Sequence, residues 1–281
     1  MSKKTFETEW SFSFDKIADK FGDAFGDLKG TFSSEEVKTA TFNHPLGKTK
    51  SAVIELGAFI GEIRVKALED SKNLFEADVA YIGEIEFSAE GEPEATVALK
   101  QKPQTFSDKV RHSFGSFGRQ NDLLWDIRIN PNIPITLKLN GGAGESSLDL
   151  SQLKLTNLKI DGGVGKTVME LPESPDGYGV QVDGGVGKIE ATLPRNTSID
   201  FNVAGGVGAI KLYIPEDAAA KASISGAIGK VKVPPYYEQV SESENFIRTE
   251  GVWQTPNFDD AEHAIVIRHS GGVGSFRIMD I

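Results

Sequence analysis

Cysteine is missing altogether from the 281-residue chain. That removes disulfides, thiolate–zinc sites and thiol nucleophiles together, and it fits a reducing compartment. No run of about 18 apolar residues occurs either, so no segment is expected to cross a membrane as a helix. The opening MSKKTFETEWSFSFDKIADKF has two early lysines, but acids and aromatics interrupt the apolar stretch that a secretory signal needs. Basic charge is in short supply, with 30 Lys and Arg against 41 Asp and Glu and a net charge of −11. A chain whose main task is gripping nucleic acid needs a basic face, so no nucleic-acid partner is expected.

Histidine is scarce as well: His44, His112, His263 and His269. His263 and His269 share a strand face but stand ~20 Å apart in an extended chain, too far to share a metal. His269 sits at an inward position, as a core or end-cap histidine. No H-E-x-x-H, G-x-S-x-G or EF-hand loop appears. The expectation is no catalytic residue, no cofactor and no metal site.

What the chain has is glycine, 30 of them. The stretch DGGVGKT at 161–167 resembles a phosphate-binding loop, but Ile160 stands where that motif needs its first glycine. The same segment also recurs, as GGAG at 141–144, GGVG at 162–165, 184–187, 205–208 and 271–274, and GAIG at 226–229. Its lysine becomes Ala209 in one copy and Ser275 in another. A phosphate site has no use for six variants of itself.

The last glycines of the copies are Gly144, Gly165, Gly187, Gly208, Gly229 and Gly274, with weaker copies at Gly61 and Gly83. Most steps are of 21 or 22 residues; the last is close to two periods, as if one copy were obscured. Apolar residues alternate on both sides of each glycine: Val180 and Val182 before Gly187, then Ile189, Ala191 and Leu193 after it. Period two on both flanks means strand, glycine corner, strand. Pro172, Pro194, Pro215 and Pro234 close the second strand. Stacked strands lie ~4.8 Å apart, so a side chain at the corner would strike its neighbour. The glycines therefore shape a corner. The fold class expected is mainly β: a single-stranded β-helix, or β-solenoid, with ~21–22-residue rungs, stabilised by stacking, plus a short N-terminal amphipathic helix.

Two stretches resemble a known family. WDIRINPNIPITLKLNGGAGESSLDLSQLKLTNLKIDGGVGKTVMELP looks like the bacterial toast-rack domain, found in LiaF-type cell-wall-active antibiotic response proteins and phage-shock-type membrane proteins. SAVIELGAFIGEIRVKALEDSKNLFEADVAYIGEIEFSAEGEPEATVALKQKP is similar to the N-terminal section of the same family. Together they cover most of residues 50–235. The resemblance implies a role in envelope-stress sensing or signalling without chemistry. It also implies a membrane-spanning bundle ahead of the domain, which this sequence lacks.

Three segments break the repeat. In residues 6–29, Ile17, Phe21, Phe25 and Leu28 fall on one helical face. That helix is expected to cap the solenoid or fray, with self-association, partner binding and peripheral membrane contact as alternatives. Residues 100–125 combine Lys100, Lys102, Lys109, Arg111 and Arg119 with three phenylalanines, and are read as a loop along the solenoid. Residues 235–262 carry Tyr236, Tyr237, Trp253 and Phe258. These aromatics cover an apolar edge or, if exposed, form the best candidate contacts for a protein partner.

The expected organisation is an N-terminal helix and cap at 1–49 and a toast-rack-like solenoid at 50–281, with insertions at 100–125 and 235–262. The expected function is a non-enzymatic binding or scaffold module in bacterial envelope stress, through a protein partner or self-association. Its expected place is the cytoplasm, with peripheral attachment at the inner face of the membrane left open. A self-assembling or adhesin-like solenoid is the alternative, and a carbohydrate-active enzyme a distant third.

Overall fold

A computed structural model describes residues 37–102, 123–227, 229–245 and 248–281. The helical face of Ile17, Phe21, Phe25 and Leu28 lies outside the described residues, as does most of the 100–125 insertion. Among the described residues no helix is long and apolar enough to cross a membrane.

The described residues form nineteen strands. They are β1 (Lys38–Pro45), β2 (Ser51–Ala67), β3 (Asn73–Tyr81), β4 (Ile85–Glu90), β5 (Glu94–Gln101), β6 (Leu124–Ile129) and β7 (Pro134–Asp149). Next come β8 (Lys154–Asp161), β9 (Val164–Glu170), β10 (Tyr178–Asp183), β11 (Val186–Thr192), β12 (Ile199–Ala204) and β13 (Val207–Ile214). The last are β14 (Ala219–Ala227), β15 (Val231–Lys232), β16 (Glu238–Asn245), β17 (Arg248–Gln254), β18 (Ala264–Ser270) and β19 (Val273–Asp280).

Alternating hydropathy becomes alternating burial: in β10, Tyr178, Val180 and Val182 are buried while Gln181 is exposed. Each half-covered strand needs neighbours on both edges, and these form two parallel ladders. In the first, β5, the front half of β2, the front half of β7, β8, β10, β12, β18 and β14 lie side by side. In the second, the neighbours are β6, the rear halves of β2 and β7, β9, β11, β13, β19 and β15. Strands β2 and β7 are long enough to run through both ladders, and elsewhere a glycine corner joins them. Beyond Pro215 and Pro234 the chain turns back at once, with the Ala218 amide donating to the Pro215 carbonyl and Tyr237 to Pro234.

Both ladders turn their apolar rows into one core, with Trp125, Phe75, Phe201 and Phe276 as its largest fully buried side chains. Each buried Leu or Ile there contributes roughly 1.5–3 kcal/mol. Antiparallel strands finish both ends. β3 lies on β6 with β1 outside it, β4 lies on β5, and β17 lies on β14 with β16 outside it.

Two departures from the sequence reading follow from the pairings. Among the described residues no obscured copy lies between Gly229 and Gly274; that stretch holds the antiparallel pair β16–β17. The final unit, β18–β19, instead lies between β12–β13 and β14–β15. Gly83 does have a positive φ of 78°. However, it joins β3 and β4, which pair antiparallel with β6 and β5, so it is a turn outside the parallel corner stack.

Candidate interaction surface

The corners form a continuous column in the order Gly61, Gly144, Gly165, Gly187, Gly208, Gly274 and Gly229. Each glycine lies so close to the next that its hydrogen faces a neighbouring carbonyl, and a Cβ on Gly187 would stand 1.7 Å from the Gly165 oxygen. The narrow space inside the column measures about 90 Å³ and is lined by corner glycines with Ser146, Thr167 and His269. Ordinary ligand pockets run to ~300–1,000 Å³, so the DGGVGKT segment holds no nucleotide within the coil.

His269 fills an inward position at 7% exposure and stacks on Phe276, with ring centroids 5.9 Å apart. Burial pushes its pKa below the ordinary 6.5, against a smaller opposing effect of the Val203 backbone. Its Nδ1 has no hydrogen-bond partner. His263 is elsewhere, its Nδ1 3.5 Å from the Ser198 hydroxyl. Among the described residues no three His, Asp or Glu side chains gather as metal ligands.

The aromatic segment packs against the protein's own end. Tyr237 is 7% exposed, which overturns its reading as a surface contact: a phenol in the core has no area left for a partner. Tyr236 leans on Tyr237 at 5.2 Å between centroids and donates its hydroxyl to Asp280 Oδ1 at 2.6 Å. Trp253 packs half-buried on the core, and Phe258 lies under the Lys221 ammonium at 5.1 Å.

Charge is distributed differently over the two outer faces. On the first ladder it is balanced locally. Glu55 takes Lys100 at 2.7 Å and Lys138 at 3.2 Å, Lys159 takes Asp161 at 2.9 Å, and Asp200 takes Arg268. On the second ladder, Glu190 collects three lysines: Lys188 at 2.6 Å, Lys211 at 3.3 Å and Lys166 at 3.7 Å. Burial alone would raise its pKa, but the lysines override this and hold it below the usual carboxylate value. The row then continues Lys211, Arg277, Lys232 on adjacent strands. Among the described residues no carboxylate bridges Arg277 or Lys232, and the buried Arg277 Nε lacks a hydrogen-bond partner.

Glu190, Lys211 and Lys232 follow the 21-residue spacing of the corners in the sequence. Arg277 escaped because it joins the row only through the displaced β19, 66 residues along the chain from its neighbour Lys211. A second row missed in the sequence lies four residues back along each strand, with the Lys166, Lys188 and Ala209 row between the two. The variable residue of each corner points outward, so Ala143, Val164, Val186 and Val207 follow one another in register. Val164 and Val186 are half-buried and Val207 is 38% exposed.

One solved structure agrees with this geometry. A candidate cell adhesion protein from Clostridium sporogenes ATCC 15579 superposes with a TM-score of 0.56 at 18% identity, over 88% of this chain and all of that one. A candidate adhesin from Bacteroides fragilis NCTC 9343 gives 0.30 at 12% identity, over 88% and 98% of the two chains. A candidate lipid binding protein from Parabacteroides distasonis ATCC 8503 gives 0.32 at 12%, over 88% and 95%. The first shows a shared fold; overlaps as weak as the other two carry no argument. No curated protein matches. The model of the N-terminal domain of toast_rack, DUF2154, matches residues 32–192, more than half of the sequence, and the chain belongs to that family.

Proposed function

We propose that this protein is a non-enzymatic β-solenoid of 21–22-residue rungs that serves as a binding or scaffold module in a bacterial envelope-stress response. The observation that carries the non-enzymatic reading is the shape of the outer faces. The connections from β9 to β10, β11 to β12 and β13 to β14 are short. Such turns raise no walls over those strands, and the pocket of about 520 Å³ between β17 and strands β12, β14 and β18 has no carboxylate among the described residues of its lining. Toast-rack membership supports the envelope-stress role. The place of action is the cytoplasm, with peripheral attachment at the inner face of the membrane, residues 6–29 as one route to it, and protein contacts or self-association as the means of signalling.

A second reading, an adhesin-like solenoid, has one specific support, the fold shared with the Clostridium sporogenes protein. Two measurements in the native bacterium separate the readings. Protease added to intact cells should leave an inner-face scaffold untouched and shave a surface adhesin. Deleting the gene should change survival under a cell-wall-active antibiotic if the protein serves envelope stress. A protein shaved from intact cells, with no antibiotic phenotype on deletion, would sink the scaffold reading in favour of adhesion.

A further inference from the structure

One half of the second ladder's outer face has a composition at odds with the other half, where Glu62, Glu145, Asp149 and Glu170 stand outward. From β11 to β15 its outward positions hold Lys188, Lys211, Arg277, Lys230 and Lys232 against one carboxylate, Glu190. This occurs on a chain of net charge −11. Like charges on adjacent strands destabilise a sheet, yet Lys211, Arg277 and Lys232 stand side by side without an intervening acid. Glu190 offsets Lys211, but among the described residues no carboxylate bridges Arg277 or Lys232, and a local rule left uncompensated there marks a surface that acts on something else.

The valine row, four residues back along each strand, says what that something is. Val164, Val186 and Val207 form a straight apolar ridge along the corner, one valine per strand, parallel to the basic row. Met279, 41% exposed, adds apolar surface on the far side of Arg277. Successive strands are ~4.8 Å apart, so ridge and row both run straight along the stack. An acidic protein groove would match the cations and leave the valines in water. A bilayer surface satisfies both, with apolar side chains at the headgroup–acyl boundary and cations on the phosphates.

We propose that the valine ridge and the basic row parallel to it dock on an anionic phospholipid bilayer. Docking orients the stack with the second ladder towards the lipid and leaves the first ladder's outer face open to a protein. The idea rests on the inner-face placement proposed above, but vesicle binding and the antibiotic phenotype can fail separately.

The test is sedimentation of the full chain with vesicles of phosphatidylcholine alone or mixed with phosphatidylglycerol. Binding is expected only with the anionic lipid, and molar salt should abolish it because the Debye length falls to ~3 Å. Each cation removed should weaken partitioning about five-fold, so Arg277→Gln with Lys232→Gln should weaken it roughly 25-fold. The melting temperature of that variant should stay level or rise, since like-charge repulsion is relieved. Val186→Ser with Val207→Ser, which keeps every charge, should weaken binding as well. Wild-type protein that ignores anionic vesicles overturns the proposal. So does a charge variant that binds like wild type, which would place lipid contact elsewhere in the chain. Binding lost in the charge variant but unchanged in the valine variant overturns the ridge's share in docking, because the bilayer is then held by the cations alone.

Discussion

Gly165 stacks on Gly144 so tightly that a Cβ on Gly165 would lie 1.8 Å from the Gly144 carbonyl oxygen. The contact recurs along the column, and it separates two kinds of corner glycine that look alike in the sequence. Gly187, at φ 147°, faces the Gly165 oxygen, whereas Gly184, at φ 69°, has nothing within 4 Å of the added carbon. Gly184→Ala should therefore cost only the left-handed backbone penalty of about 1–2 kcal/mol. Gly187→Ala must push two strands apart and should cost more than about 4 kcal/mol. Urea unfolding of the two variants checks the gap; equal losses would mean that the column is looser than it looks.

His269 makes stability depend on pH. Its folded pKa lies below the ordinary 6.5 because burial disfavours the cation. As pH falls below about 6.5, the unfolded chain takes up a proton that the folded chain refuses, so stability drops with a slope of up to about 1.4 kcal/mol per pH unit. The slope ends once pH passes below the folded pKa. His269→Leu should remove this loss between neutral pH and pH ~5, and melting curves across that range would reveal it.

Glu190 holds three lysines together, so Glu190→Gln should lower stability by about 1–3 kcal/mol. Its carboxyl, like those of Glu55 and Asp78, titrates below its ordinary value. For such groups the stabilisation is full above the unfolded pKa and is lost as pH falls through the folded one. The difference between wild type and Glu190→Gln should accordingly vanish in acid, and a constant difference would argue against the ion cluster as its source.

The two adjacent tyrosines should behave differently. Tyr237→Ala empties a core position and should cost about 3–5 kcal/mol. Tyr236→Phe removes the hydrogen bond to Asp280 and should cost about 1 kcal/mol. Burial raises both phenols above the ordinary 10. An alkaline absorbance titration should find both neutral until the protein unfolds, together with the likewise raised Tyr178.

The sequence discloses what is enforced locally. A corner that tolerates no Cβ leaves a glycine every 21 or 22 residues, and a half-buried strand leaves the alternation of Val180, Val182, Ile189 and Ala191. Strand neighbours leave no such trace. Nothing local in Arg277 says that it will stand between Lys211 and Lys232, and nothing in Gly83 separates an end turn from a stacked corner. The valine ridge was hidden for another reason: the variable letter in GGVG reads as filler until strand pairing lines its copies up.

The displaced β18–β19 unit gives the molecule an assembly problem in time. The strands synthesised last lie inside the stack, between partners completed 40 or more residues earlier. Gly229 follows Gly208 by the same 21-residue step as the other corners. While the chain is still emerging, β14–β15 can settle directly on β12–β13 in a register that keeps Phe201 against Ala222 and Val203 against Ile224. The finished order requires that seam to stay open or to reopen, so a full-length chain is expected to acquire its last structure slowly, by wedging rather than by winding.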